Sequence, residues 1–207
     1  MKYIFVAGAP GSKWSSVVKN IYYSPSVDRS DYSDERTYYH DASGKMDLMH
    51  LGAYFDPGME CNIPENLNEY SRAELEAMFD TPFNNSESGV RIIKSHIFSN
   101  HIDFLRSTFP ETPIVLVHRP DDACLGWWVK CGHFDITYPL YHSYYKDLKT
   151  MAGIIRQQNA GIQAAWDSYT GTEVYTNLRL ALNLNLASPP EQYNQNYLDS
   201  DIKVKVI

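Results

Sequence analysis

Cysteine is scarce in this chain: Cys61, Cys124 and Cys131 are its only three. So few thiols exclude a disulfide framework as the device that organises the fold. Cys124, Cys131 and His133 form a C-x₆-C-x-H pattern that is not a standard zinc spacing, and buried thiols on a helix are the simpler reading. His40 and His50 likewise lack ligand-like spacing, so no metal is expected. Positive charge is also short, with 18 Lys and Arg against 25 Asp and Glu and a net charge of −7. That balance argues against a general nucleic-acid binder, while a local basic pocket remains compatible with it. No apolar run approaches the roughly 20 residues a membrane-spanning helix needs. The first eight residues lack a basic leader and a small-residue cleavage signal and read instead as a core strand, so the expectation is a soluble, cytoplasmic chain. Repeats and low-complexity tracts are missing too. With 43% hydrophobic residues, residues 1–207 are expected to build one domain around one core.

What the chain does have begins at its first strand. Lys2-Tyr-Ile-Phe-Val-Ala-Gly-Ala-Pro-Gly-Ser-Lys-Trp-Ser-Ser16 reads as a short apolar strand, a Gly/Pro/Ser turn with one lysine, and the start of a helix. That order sets backbone N–H groups, hydroxyls and an ammonium at a helix N-terminus, where an anion is best held. It departs from the loop of an ATP or GTP site, G-x-x-x-x-G-K-[ST]. Gly8 stands one residue too close to Lys13, Ser12 replaces the second glycine, and Trp14 takes the place of the Mg²⁺-binding hydroxyl. A plain strand–turn–helix junction with a solvated lysine is the alternative reading of this stretch.

Two further segments end in polar residues. Val90-Arg-Ile-Ile-Lys-Ser-His96 is a β-branched run closing on Lys94, Ser95 and His96. Pro113-Ile-Val-Leu-Val-His-Arg-Pro120 is a buried-type strand leading to His118 and Arg119, followed by a helix that opens with Asp121 and Asp122. Parallel strands bind ligands at their C-terminal ends. Three such strands would bring Lys13, Lys94, His96 and Arg119 to one edge as an anion site.

These three segments together resemble the sulfotransferases that use 3′-phosphoadenosine 5′-phosphosulfate (PAPS). Pro10-Gly-Ser-Lys-Trp-Ser-Ser16 compares with the family's P-[KR]-S-G-T-T-[WL] turn, Lys94-Ser95-His96 matches K-[TS]-H, and the run from His118 to Trp128 compares with R-D-P-x-D-x-x-x-S. The likeness covers residues 2 to about 130 in the family's order. It also departs from the family. Lys13 stands where glycine is usual and Gly11 where lysine or arginine is usual. Arg119 falls one place after the usual arginine, which aligns with His118. Gly126 replaces a serine, and no R-K-G-type segment follows near the C-terminus.

The resemblance implies sulfuryl transfer from PAPS, leaving adenosine 3′,5′-bisphosphate, to a hydroxyl or amine on a small-molecule or carbohydrate acceptor, with no metal. His96 would be the general base, and Lys13 and Lys94 would stabilise charge on the bridging and sulfuryl oxygens. Pro10, Gly11, Ser12, Lys13, Trp14, Ser15, Ser16 and Arg119 would hold the nucleotide. A histidine meets the requirement for a base with a pKa near neutrality unaided. His96 as a strand-end histidine bonded to a carbonyl, and Arg119 paired with Asp121 or Asp122, are the structural alternatives. Trp14, Trp127 and Trp128 are candidates to stack on adenine or to pack in the core. Competing functions are a P-loop nucleotide or nucleoside kinase and a catalytically degenerate, sulfotransferase-like anion-binding protein.

The remaining pattern predicts a helix over 14–23, an irregular insert over 24–68 that could wall an acceptor pocket, and a capping box at Ser71 and Glu74 opening a helix to Phe79. Further helices are expected over 100–109, 144–169 and 177–184, with strands at 173–175 and, at a sheet edge, 202–207. The expected fold is a three-layer α/β/α sandwich with a mainly parallel sheet and P-loop NTPase-like topology.

Overall fold

The computed structural model describes residues 1–31, 51–57, 61–84, 89–130, 147–175, 177–185 and 200–207. Six strands form one sheet in the order β2-β3-β1-β4-β6-β5. They are β1 (Tyr3–Gly8), β2 (Ala53–Tyr54), β3 (Arg91–Lys94), β4 (Ile114–His118), β5 (Thr172–Glu173) and β6 (Lys203–Val206). β2, β3, β1 and β4 pair in parallel, whereas β6 runs antiparallel to both β4 and β5. The sheet is therefore mixed. The 202–207 run is not an edge strand, because β5 lies outside it.

Helices α1 (Trp14–Tyr22), α2 (Arg72–Asp80), α3 (Ile102–Thr108), α4 (Asp121–Lys130), α5 (Leu148–Ser168) and α6 (Leu178–Ala181) pack against the sheet. Alternation along β1 explains the two cores, since successive strand side chains point to opposite faces. Ile4 and Val6 join Val17, Val18 and Ile21 of α1 and Cys124 and Trp128 of α4. Tyr3, Phe5 and Ala7 join Leu75 and Phe79 of α2 and Leu105 of α3. The second core is aromatic: Phe5 meets Phe79, Phe98 and Phe109 with ring centroids 5.2–5.5 Å apart and planes steeply inclined. Such edge-on pairs add to the burial term.

Local signals account for several helix ends. Ser71 and Glu74 form the expected reciprocal capping box of α2. Asp147 caps α5, accepting from the Thr150 N–H at 2.7 Å, so the helix starts at Leu148; positions 141–146 lie outside the described residues. A 3₁₀ turn, Ile97–Asn100, precedes α3, which starts at Ile102, two residues after the expected start of 100. Part of the 24–68 insert is ordered into the sheet. Ala53 and Tyr54 pair with Ile93 and Lys94, and Phe55 N–H bonds the Lys94 carbonyl at 2.8 Å. Positions 32–50 and 58–60 of that insert lie outside the described residues, as do Cys131 and His133. No helix among the described residues is long and apolar enough to cross a membrane.

Candidate functional site

Because β2, β3, β1 and β4 are parallel, the segments that follow them share one edge of the sheet. The turn after β1 is shaped by two residues with left-handed backbones, Gly11 (φ 78°) and Lys13 (φ 59°). Gly11 has no room for a side chain: a Cβ would lie 2.1 Å from the Cys124 carbonyl oxygen of α4. Any larger residue at this position would require the Gly11 turn or the α4 backbone to move. Lys13 is the N-cap of α1, which has no side-chain cap and no acidic residue in its first turn. Its ammonium lies 3.9 Å from the Trp127 ring centroid, a cation–π contact that turns it toward α4. Ser12 is fully buried, and its Oγ has no hydrogen-bond partner among the described residues. Ser15 is also buried, while Ser16 is half-buried with its N–H bonded to the Lys13 carbonyl. Pro10 is buried in the turn.

The end of β3 forms the second part. Lys94 is fully buried, its Nζ 5.5 Å and 5.6 Å from the ring centroids of Trp14 and Tyr54. The His96 ring stacks on Trp14 with centroids 3.9 Å apart and planes 9° from parallel, and Tyr54 meets it edge-on. Its Nδ1 contacts the Gly8 carbonyl. A carbonyl only accepts, so Nδ1 carries the hydrogen and Nε2 presents its lone pair. Nε2 lies 4.0 Å from Asp56 Oδ2. Asp56 is buried and receives Tyr54 OH on Oδ2 at 2.8 Å, and Ser95 Oγ and the His96 N–H on Oδ1, each at 3.0 Å.

Burial sets the protonation of this pair. Desolvation pushes His96 down to about 3, partly opposed by the Gly8 contact and reinforced by the Lys94 charge. The expectation of an unaided histidine with a near-neutral pKa is thus corrected. Desolvation pushes Asp56 up to about 7, against the hydrogen bonds it receives from Tyr54, Ser95 and the His96 and Ile97 backbone. Sequence reasoning missed Asp56 because it sits in the irregular insert. The available signal was the short apolar Ala53-Tyr54-Phe55 run ending in an acid before Pro57.

The end of β4 forms the third part. Arg119 is 7% exposed; its Nε donates to Asp201 at 3.0 Å and its Nη1 to the Gly11 carbonyl at 3.2 Å. Among the described residues a carboxylate partner of Arg119 is Asp201, whereas the structural alternative named Asp121 or Asp122. Asp121 instead accepts from Asn159 of α5 at 2.7 Å, and Asp122 accepts from the Ala123 N–H. His118 is held below its usual pKa by burial and then by Lys203. Burial pushes the Cys124 thiol up to about 12, which makes it inert. Gly126 faces open space, with nothing within 4 Å of a Cβ placed there. Trp128 is core; Trp127 is half-buried, with the Lys13 and Lys130 ammonium groups 3.9 Å and 5.7 Å from its ring centroid. Among the described residues no group of three acidic, histidine or cysteine side chains could hold a metal.

The edge thus gathers two clusters. Ser12, Trp14, Lys94 and His96 surround the β1–β3 ends with Asp56 and Tyr54, and Arg119 joins Gly11, Asp201 and Asn159 at the β4 end. A cleft of about 530 Å³ opens between the Ile97–Asn100 turn, α3 and α5, lined in part by Ser99, His101 and Gln157. None of the sequence-predicted site residues lines it. Compared with protein-family models, curated proteins and solved structures, the chain finds no match.

Proposed function

We propose that this edge binds a phosphosulfate nucleotide and that the protein is a cytoplasmic PAPS-dependent sulfotransferase acting on a hydroxyl or amine of a small-molecule or carbohydrate acceptor. The reading treats the β2-β3-β1-β4 block and the turn after β1 as P-loop-like. Its carrying observation is the buried, unpartnered Ser12 Oγ beside the uncapped N-terminus of α1. Buried polar groups are normally satisfied, and a helix N-terminus with a hydroxyl and no carboxylate calls for an anion. The first turn of α1, Ser12 and Ser15 fit such a group, with Lys13 adjacent.

PAPS would supply the activated sulfuryl group, and the chain's own residues would orient the partners and move the proton. His96 Nε2 is the lone pair able to take a proton from the acceptor, and Lys94 lies beside the same ring. Alone, a base with a pKa near 3 is weak. An ionised Asp56 at 4.0 Å would stabilise the imidazolium as it forms. Trp14, stacked on His96, stands where a kinase needs a Mg²⁺-binding hydroxyl, which disfavours the kinase reading.

Two observations favour a second reading, a degenerate anion-binding protein: Arg119 is engaged by Asp201, and His96 is only 4% exposed. Release of adenosine 3′,5′-bisphosphate from PAPS in the presence of an acceptor mixture separates the two. His96→Ala should lower that rate by about 10²–10⁴-fold. An equal rate in the two proteins removes His96 as the base, and no release by the parent favours the binding protein.

A further inference from the structure

At the β4 end of the site a buried cation is matched by the chain's own anion. Arg119 reaches Asp201 from 82 positions away, so the pair is a product of the tertiary fold and not of a local turn. The carboxylate is only half satisfied. Its Oδ2 accepts from Arg119 Nε at 3.0 Å, while its Oδ1 is buried with no hydrogen-bond partner among the described residues. A second acid stands close by, since Arg119, Asp121 and Asp201 all act on the buried Cys124 thiol. The Asp201 carboxylate therefore holds the place beside Arg119 Nε, and a phosphate arriving there would meet its negative charge. The guanidinium fork is matched in geometry and charge to phosphate oxygens as well as to a carboxylate.

We propose that Asp201 sets the affinity of this edge for a second phosphate: its carboxylate occupies the anion position beside Arg119, and a ligand phosphate binds there only by displacing it. A carboxylate with one unmet oxygen and a side chain 34% exposed is a displaceable occupant. The identity of the ligand rests on the nucleotide reading above; the displacement does not. Asp201 thereby becomes the residue that decides how strongly the site distinguishes a nucleotide with two separate phosphates from one with a single phosphate.

The test is calorimetric titration of the full chain and of Asp201→Asn with adenosine 3′,5′-bisphosphate, AMP and inorganic pyrophosphate. Asp201→Ser serves as a second variant, and a thermal melt of each checks folding. Removing the competing charge should tighten bisphosphate binding about tenfold and leave AMP within twofold. Bisphosphate binding unchanged or weaker in both folded variants overturns the proposal and makes Asp201 a support for Arg119. If the bisphosphate binds no form of the protein, the nucleotide reading fails and pyrophosphate decides. Tighter pyrophosphate binding by the variants upholds the displacement, and no tightening overturns it.

Discussion

His96 and Asp56 face each other inside the protein with their proton affinities displaced in opposite directions, and the displacement has a thermodynamic signature. Asp56, raised to about 7, adds stability that is complete below about pH 4 and is lost as pH rises through 7. His96, depressed to about 3, adds stability that is complete above about pH 6.5 and is lost as pH falls toward 3. Between about pH 4 and 6.5 the two slopes oppose each other in the parent. Urea unfolding across pH 4–8 should therefore show Asp56→Asn gaining stability with rising pH up to about 6.5, and His96→Gln losing it up to about 7. Each change should amount to at most roughly 3–4 kcal/mol. Parallel curves for the two variants would contradict the protonation assigned to the pair. His96 itself was legible in the sequence, because it ends a β-branched run in a Lys-Ser-His motif. Asp56 was not, since its role depends on β2 pairing beside Lys94 and a two-residue strand carries no periodicity.

At the scale of elements, α5 shows how one residue type has opposite value on two faces of a helix. Gly153 is exposed, and a Cβ there meets nothing within 4 Å. Gly161 lies against the Ile97–Asn100 turn, and a Cβ there would stand 2.1 Å from the Ser99 carbonyl oxygen. Gly153→Ala should stabilise the protein by about 1 kcal/mol through helix propensity alone. Gly161→Ala should destabilise it by about 2–3 kcal/mol by forcing α5 off the turn that follows His96. Chemical denaturation of both variants checks the pair, and equal effects would mean that α5 does not seat there. The apolar face of α5 was legible in part: of Leu148, Met151, Ile155, Ile162 and Trp166, the middle three are buried, Trp166 is half-buried and Leu148 is exposed. The close approach at Gly161 was not legible, because it is made with a segment some 60 positions earlier.

At the scale of the whole molecule, the buried runs of β1, β3 and β4 and the polar residues after them place three parallel strands and a shared C-terminal edge. Strand direction beyond that block was not legible. The alternating run at 202–207 fits either orientation, and only pairing with β4 on one side and β5 on the other makes β6 antiparallel and interior. The motif residues also divide differently from their sequence grouping. Lys13 sits over Trp127, Arg119 is paired with Asp201, and His96, Lys94 and Ser12 surround the uncapped start of α1. The central claim is that this edge takes an anionic nucleotide of the phosphosulfate type. It is tested most directly by calorimetric titration of the purified protein with adenosine 3′,5′-bisphosphate, with ATP–Mg²⁺ and AMP as controls. The account predicts saturable bisphosphate binding stronger than that of either control. Binding of ATP–Mg²⁺ in preference to the bisphosphate, or of none of the three, would contradict it.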